Sequence, residues 1–160
     1  MLSGSIIIFI LLSYLTGALP SAVWIGRVFY NIDVREYGSG NAGATNTFRV
    51  LGKKAGIPVL FLDILKGWIA VNYSMFFKNN NLSADHFFEI QLAFGIAAVI
   101  GHLFPVYTGF RGGKGIATML GLLLAFNYLA ALLSFIVFIV ILLFFRYVSL
   151  SSILASFSFP

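Results

Sequence analysis

Cysteine is absent from this chain of 160 residues, and charge is scarce, because Asp, Glu, Lys and Arg together make up only 9% of the sequence. The lack of cysteine excludes disulfides and thiolate ligands for a metal. What the chain does contain is apolar: 60% of its residues are hydrophobic, and the mean hydropathy of +0.99 lies well above that of a soluble domain. The composition therefore predicts a membrane protein.

Four long stretches carry little or no charge, and each could cross about 30 Å of hydrocarbon, which takes roughly 20 helical residues. They are residues 1–26, 57–77, 90–110 and 115–145. The last is too long for one upright helix, and Asn127 and Tyr128 near its middle predict a turn that divides it. Residues 147–160 supply part of another span. The predicted fold class is therefore all-α, a polytopic transmembrane helical bundle with five complete spans and part of a sixth, in a single domain over 1–160.

The distribution of positive charge predicts the orientation in the membrane. No Lys or Arg precedes the first span, which is therefore expected to be a retained helix and not a cleaved signal peptide. Lys and Arg cluster after the first and third spans, whereas the loop after the second has only Lys78, offset by Asp85 and Glu89. The positive-inside rule then places the N-terminus outside and both basic loops in the cytoplasm.

The two basic loops, residues 38–49 and 101–118, are rich in glycine and form the candidate active site. Glycines bring backbone N–H groups close to a ligand, and short polar side chains donate to anionic oxygens. In the second loop Arg111 and Lys114 surround a glycine cluster that leads directly into an apolar helix. A helix N-terminus beside glycine amides and two cations favours a phosphate. Either loop alone fits a simple tight turn equally well, but two such loops on one side favour a ligand site.

Ionisable residues inside the spans form a second group of candidates. Lys66 stands three residues after Asp63 on one helix face, so the two can neutralise each other. Ionisable residues in a span are nonetheless functional candidates, because burying them in lipid is costly. Structural pairing and ligand contact are equally open for Lys66. His102, at the inner end of the third span, fits a helix-end hydrogen-bonding residue better than a proton carrier. His86, in the outer loop, is expected to be a solvated surface residue.

Two nucleotide-binding motifs are matched only superficially. Residues 38–43 spell the dinucleotide fingerprint, but a membrane span precedes them where that motif requires a strand. In the second loop Lys114 is followed by Gly115 in place of Ser or Thr, and position 108 is not glycine, so a P-loop is excluded. No cofactor is therefore expected, and neither a metal nor a nucleic acid is expected as a ligand.

Two long motifs in fixed order carry a family resemblance. The first is Gly-Ser-Gly-Asn-Ala-Gly-Ala-Thr-Asn at 38–46, followed by Arg49 and by Gly-Lys-Lys at 52–54. The second is Gly-His-Leu-Phe-Pro at 101–105, followed by Phe-Arg-Gly-Gly-Lys-Gly-Ile-Ala-Thr at 110–118. With residues 63–67 and 146–153, the chain resembles the bacterial acyl-phosphate:glycerol-3-phosphate acyltransferases over nearly its whole length. The resemblance implies an inner-membrane enzyme of phospholipid biosynthesis with seven spans. Its members transfer a fatty acyl group from acyl phosphate to glycerol 3-phosphate, forming 1-acylglycerol 3-phosphate and phosphate.

The resemblance also implies roles for individual residues. Ser39, Arg49 and Lys114 are expected to be catalytic, with Lys114 contacting a phosphate. The residues expected to bind substrate are Gly40, Asn41, Gly43, Thr45, Asn46, Lys66, His102, Arg111, Gly112, Gly113, Gly115 and Thr118. Besides the two substrates and the lipid bilayer, the soluble enzyme that supplies acyl phosphate is an expected partner. Acyl phosphate is a mixed anhydride with a good leaving group, so no covalent nucleophile is required, and a donor phosphate oxygen is the hypothetical acceptor of the hydroxyl proton.

One departure from the family and two alternatives bear on this interpretation. Family members continue into a seventh span with a third motif that supplies a histidine and an asparagine; neither residue type occurs after Arg146, so the chain is expected to be C-terminally incomplete. A transporter or channel subunit for an anionic solute would show internal repeats, but the two loops share composition and not order. A thioester-dependent acyltransferase with a His-x-x-x-x-Asp site is excluded, because Gln91 and Tyr107 stand five residues after His86 and His102.

Overall fold

The computed structural model describes residues 2–78 and 82–158, and within these ranges the chain is helical and has no strand. The helices are α1 (Leu2–Gly17), α2 (Ser21–Tyr30), α3 (Ala44–Leu51), α4 (Lys53–Asn72), α5 (Ala84–Leu103), α6 (Ile116–Phe126), α7 (Tyr128–Phe145) and α8 (Val148–Ser156). Short 3₁₀ turns lie at Val34–Glu36, Tyr73–Phe77 and Val106–Thr108. The predicted all-α fold class is confirmed.

Among the described residues, 4 helical segments are long and apolar enough to cross a membrane: Gly4–Tyr30, Lys53–Phe77, Ala84–Thr108 and Tyr128–Phe145. The predicted division of the long apolar run is confirmed, because Asn127 separates α6 from α7 and its side-chain oxygen accepts a hydrogen bond from Ala130 N at 3.1 Å. The number of full spans differs from the prediction of five. Helix α6 has 11 residues and so rises only about 17 Å, less than the hydrocarbon thickness of about 30 Å.

The chain forms two compact units, Met1–Leu122 and Leu123–Pro160. In the first unit, glycines let helices approach closely, as small residues do in membrane bundles. A Cβ added at Gly17 of α1 would collide with the carbonyl of Ala98 in α5, and one at Gly67 of α4 would collide with the carbonyl of Thr118 in α6. Polar and charged side chains are buried inside this unit, while large apolar residues such as Phe61 remain exposed, as a lipid environment requires.

The second unit is a helical hairpin of α7 and α8. Helix α7 ends at Arg146, whose φ of 60° is left-handed and whose backbone N–H donates to Leu142 O at 2.9 Å. That conformation is a common helix C-cap and turns the chain back toward α8. The Ser158 hydroxyl donates to the Ser134 hydroxyl at 3.2 Å, which ties the far end of the hairpin to α7.

Candidate active site

Asn46 holds the first glycine-rich loop in shape. Its side chain is buried, with 1% relative exposure. The side-chain oxygen accepts a hydrogen bond from Ser39 N at 2.9 Å, and the amide nitrogen donates to the carbonyls of Val34, Tyr37 and Asn41 at 2.8, 3.1 and 3.1 Å. One asparagine amide thus engages four backbone groups between Val34 and Asn41, with one of its two N–H groups shared between two carbonyls. Both the oxygen and the nitrogen of the Asn46 amide are hydrogen-bonded to the backbone. No contact shows this side chain facing a ligand, so the predicted direct contact with substrate stays a prediction.

Two glycines of this loop are required by its geometry. Gly38 and Gly40 have φ values of 62° and 73°, in the left-handed region that other residues rarely adopt. A Cβ at Gly38 would in addition collide with the Asn46 side-chain oxygen. Ser39 lies between these two glycines and is exposed, and its backbone N–H donates to the side-chain oxygen of Asn46. The loop therefore presents the predicted catalytic serine on a preshaped backbone.

The second half of the predicted first loop is the helix α3, which begins after Gly43. Its apolar face, Ala44 and Leu51, packs with the cluster of Ala22, Val34 and Val59. The prediction of a loop over this stretch was wrong: Ala44, Phe48 and Leu51 have the spacing of one helix face, a pattern that indicates the helix but was not used. The helix places Thr45 and Arg49 on its exposed face.

The second loop folds back onto the end of α5. Gly113 N donates to His102 O at 3.2 Å, and a Cβ at Gly112 would collide with that same carbonyl. Gly115 has a φ of 78° and immediately precedes α6, so the predicted passage from a glycine cluster into an apolar helix is confirmed. Thr118 lies inside α6 with a fully buried side chain, away from the exposed part of the loop.

Backbone and side-chain contacts bring the two loops together. Ala42 N in the first donates to Gly112 O in the second at 3.3 Å. The guanidinium of Arg35 donates to Thr108 O at 2.8 Å, across 73 residues of sequence. Both predicted halves of the site therefore belong to one surface of the first unit.

Asp33 fixes Arg35 in this position. Its carboxylate forms ion pairs with Arg35 at 2.8 Å and with Arg27 at 2.9 Å, and only 9% of its side chain is exposed. Hydrogen bonding from Arg35 holds the pKa of Asp33 well below its usual range, and the same contact raises the pKa of Arg35. Nothing in the sequence indicates this role, because the Thr108 carbonyl that accepts from Arg35 is remote in the chain.

The Asp33 contacts predict an acid-sensitive component of stability. A lowered carboxyl pKa contributes stability above the unfolded pKa of about 3.9, and that contribution is lost as pH falls toward the folded value. At neutral pH we expect Asp33→Asn to lower the free energy of unfolding by about 1–3 kcal/mol, and the difference from wild type to shrink below pH 4. Thermal melts at pH 7 and pH 3.5 measure this. Asp85→Asn, at an exposed carboxylate, is the control, and a constant difference across pH would contradict the assignment.

Arg49, Arg111 and Lys114 supply free positive charge at the joined loops. All three side chains are exposed, and none forms an ion pair with a carboxylate in the described part of the chain. Among the other predicted binding residues, Gly40 and Thr45 are exposed, and Asn41, Gly43, Gly112 and Gly113 are partly exposed. The surface therefore combines unpaired cations with accessible glycine backbone, which is the chemistry that binds phosphate.

Beneath the loops lies a buried charge cluster of Ser21, Asp63, Lys66 and His102. One Asp63 carboxylate oxygen accepts a hydrogen bond from the Ser21 hydroxyl at 2.6 Å, pairs with Lys66 Nζ at 3.0 Å and lies 3.7 Å from His102 Nδ1. Lys66 Nζ also donates to Leu19 O at 2.9 Å. The predicted pairing of Asp63 with Lys66 is confirmed, while substrate contacts of Lys66 and His102 stay predictions.

Comparison with known proteins points to one family. Residues 7–160 match the family model described as glycerol-3-phosphate acyltransferase. A curated relative of that name from Listeria monocytogenes serovar 1/2a is 49% identical over 95% of this chain and 74% of its own length. Another, from Staphylococcus haemolyticus, is 47% identical over 94% of this chain and 75% of its own length.

Solved structures agree with the sequence relatives. The crystal structure of PlsY (YgiH), an integral membrane glycerol 3-phosphate acyltransferase, in its glycerol 3-phosphate form matches with a TM-score of 0.85 and 41% identity, over 96% of this chain and 74% of that one. The lysophosphatidic acid form of that protein matches with a TM-score of 0.82 and 40% identity, over 96% of this chain and 73% of that one.

Proposed function

This chain belongs to the glycerol-3-phosphate acyltransferase family, and from that premise we propose that it transfers a fatty acyl group from acyl phosphate to glycerol 3-phosphate. The family resemblance and the enzyme class predicted from the motifs are confirmed, and the alternative of a transporter or channel subunit is set aside. The observation that carries the proposal is the meeting of two loops that hold Arg49, Arg111 and Lys114, three exposed cations without an ion pair to any described residue. Both proposed substrates carry phosphate, so such a surface suits donor and acceptor alike.

The proposed step needs orientation and charge stabilisation only. The primary hydroxyl oxygen of glycerol 3-phosphate attacks the acyl carbonyl carbon, and the bond from that carbon to the phosphate oxygen breaks. The leaving phosphate keeps the bonding electron pair, and one of its oxygens takes the hydroxyl proton, which balances the products as 1-acylglycerol 3-phosphate and inorganic phosphate. The Ser39 hydroxyl and loop N–H groups donate to developing negative charge, while Lys114 neutralises the phosphate of glycerol 3-phosphate and Arg49 that of the donor.

A donor comparison tests the proposed reaction. Purified protein in detergent is given glycerol 3-phosphate with acyl phosphate, acyl-CoA or acyl carrier protein carrying the same acyl chain. We expect acylated product from acyl phosphate alone, because the loops provide phosphate-binding groups and no nucleophile for a thioester is part of the proposed site. Product from either thioester, with none from acyl phosphate, would refute the donor assignment.

The proposed location is the bacterial cytoplasmic membrane, with the N-terminus outside and the joined loops in the cytoplasm, where the soluble supplier of acyl phosphate would act. Since the chain contains no cysteine, single cysteines can report the topology without background. We expect a membrane-impermeant maleimide to label Asp85→Cys in intact cells and to label Lys53→Cys only after permeabilisation. Both positions are exposed, so the reverse pattern would contradict the orientation.

A further inference from the structure

The buried charge cluster joins three helices in the interior of the first unit, where loss of water makes a charged group unfavourable. Ser21 comes from α2, Asp63 and Lys66 from α4, and His102 from α5. Their side chains are between 1% and 6% exposed: Ser21 6%, Asp63 1%, Lys66 5% and His102 5%. Ionisable groups in a membrane span cost free energy even when paired, and apolar residues would join the same helices more cheaply. This cost suggests a role besides holding the helices together.

His102 connects the cluster to the second glycine-rich loop through two separate contacts. Its Nδ1 faces Asp63 at 3.7 Å, and its backbone carbonyl accepts the hydrogen bond from Gly113 N at 3.2 Å. On the other side of the ring, Nε2 lies so close to Gly113 that an added Cβ would overlap it. Gly113, which precedes Lys114, is therefore held by the His102 backbone carbonyl and packed against the His102 ring.

The same contacts argue against direct action on substrate by the cluster. Lys66 Nζ is already engaged by Asp63 and by Leu19 O, at 3.0 and 2.9 Å. The His102 imidazole is packed between Asp63 and the loop backbone. These contacts favour an effect on the reaction that passes through the loop packed against His102.

We propose that Asp63, Lys66 and His102 are positioning residues that set the conformation of the loop at Gly112–Lys114, and thereby its affinity for the phosphate of glycerol 3-phosphate. The inference rests on the proposed function of that loop. Lys66 and Ser21 hold Asp63, the Asp63 carboxylate faces His102 Nδ1 at 3.7 Å, too far for a hydrogen bond, and the ring packs against Gly113. A displaced loop would weaken binding of the acceptor and leave binding of the acyl donor's chain unchanged.

Steady-state kinetics of His102→Ala and Asp63→Asn test the proposal. The expected result is a rise of about tenfold or more in KM for glycerol 3-phosphate, since small misplacements of binding groups have effects of this size, with KM for the donor within about twofold. The matched controls are His86→Ala and Asp85→Asn, at exposed positions of the same residue types. An unchanged KM for glycerol 3-phosphate, with only a smaller active fraction, would show a purely structural role and overturn the proposal.

A double-mutant cycle keeps the proposal testable if single variants lose stability. Gly113→Ala alone is expected to raise KM for glycerol 3-phosphate strongly, because the added methyl meets the imidazole. With His102→Ala in the same chain, the methyl gains space, so the double variant should have a KM no higher than that of Gly113→Ala alone. Effects that multiply independently would overturn the coupling. If His102→Ala does not fold, His102→Gln takes its place in both arms.

The donor in these assays is whichever one supports wild-type turnover. If only a thioester does so, the acyl-phosphate proposal fails while the loop-positioning test still runs. If acyl phosphate supports turnover and the KM for glycerol 3-phosphate is insensitive to the cluster, the positioning proposal fails alone. The two results are therefore distinguishable within one experiment.

Discussion

Replacing Lys114 with alanine is expected to lower kcat/KM for glycerol 3-phosphate about 100-fold. The ammonium group is exposed on the joined loops and has no ion-pair partner among the described residues, so its charge is free for a substrate phosphate. A charge-assisted hydrogen bond of this kind contributes about 1.5–3 kcal/mol, which corresponds to about 10–150-fold in kcat/KM. Initial rates at varied glycerol 3-phosphate and saturating donor measure the effect.

Lys78→Ala is the matched control for Lys114→Ala. Lys78 is also exposed but lies after α4, on the side of the membrane proposed to be opposite the loops. Its replacement should leave kcat/KM unchanged. Equal effects of the two variants, or kinetics of Lys114→Ala within about twofold of wild type, would remove Lys114 from the site.

Replacing Asn46 with alanine is expected to abolish most activity and to destabilise the first unit by about 3 kcal/mol. The variant leaves Ser39 N and three carbonyls without the amide that joins them, and each unsatisfied buried group costs about 1–3 kcal/mol. Because Ser39 is presented by this loop, activity should fall further than the loss of folded protein accounts for. Thermal unfolding and turnover of the folded fraction measure the two effects separately.

Two further variants test whether the effect of Asn46→Ala comes from the lost amide hydrogen bonds. Asn72→Ala removes an asparagine whose amide makes a single bond, to Trp68 O at 2.8 Å, and should change stability little. Asn46→Asp keeps the size and the acceptor oxygen but cannot donate to the three carbonyls, so it should be about as damaging as alanine. Wild-type turnover in Asn46→Asp would contradict the role of the amide in shaping the loop.

Much of the fold could be predicted from charge alone. Uncharged runs identified the apolar helices, and Asn127 marked the break before α7 because a short polar side chain can cap a helix in an otherwise apolar run. The bounds of α6 follow from the run that begins at residue 115 and the turn at Asn127; what the count of five spans missed is that 11 residues rise only about 17 Å, too little to cross the hydrocarbon.

The features of the candidate site that depend on residue type were visible in the sequence, and those that depend on contacts between distant residues were not. Glycines and unpaired cations identified the two loops, and Lys114 lies exposed as a phosphate-binding residue must. Asn46 was predicted as a ligand contact, but an amide in a glycine-rich segment serves the loop backbone equally well. In the sequence, Arg35 counted only as one of the positive charges that predict topology. Its acceptor, the Thr108 carbonyl, becomes a neighbour only after folding.

The proposed reaction of the joined loops is transfer of an acyl group between two phosphate compounds. Its most direct test supplies radiolabelled glycerol 3-phosphate and acyl phosphate to the purified protein and measures acylated product and released phosphate together. We expect one phosphate to be released for each 1-acylglycerol 3-phosphate formed, and both to be lost in Lys114→Ala. Phosphate release without acylated product, or equal product formation by wild type and Lys114→Ala, would contradict it.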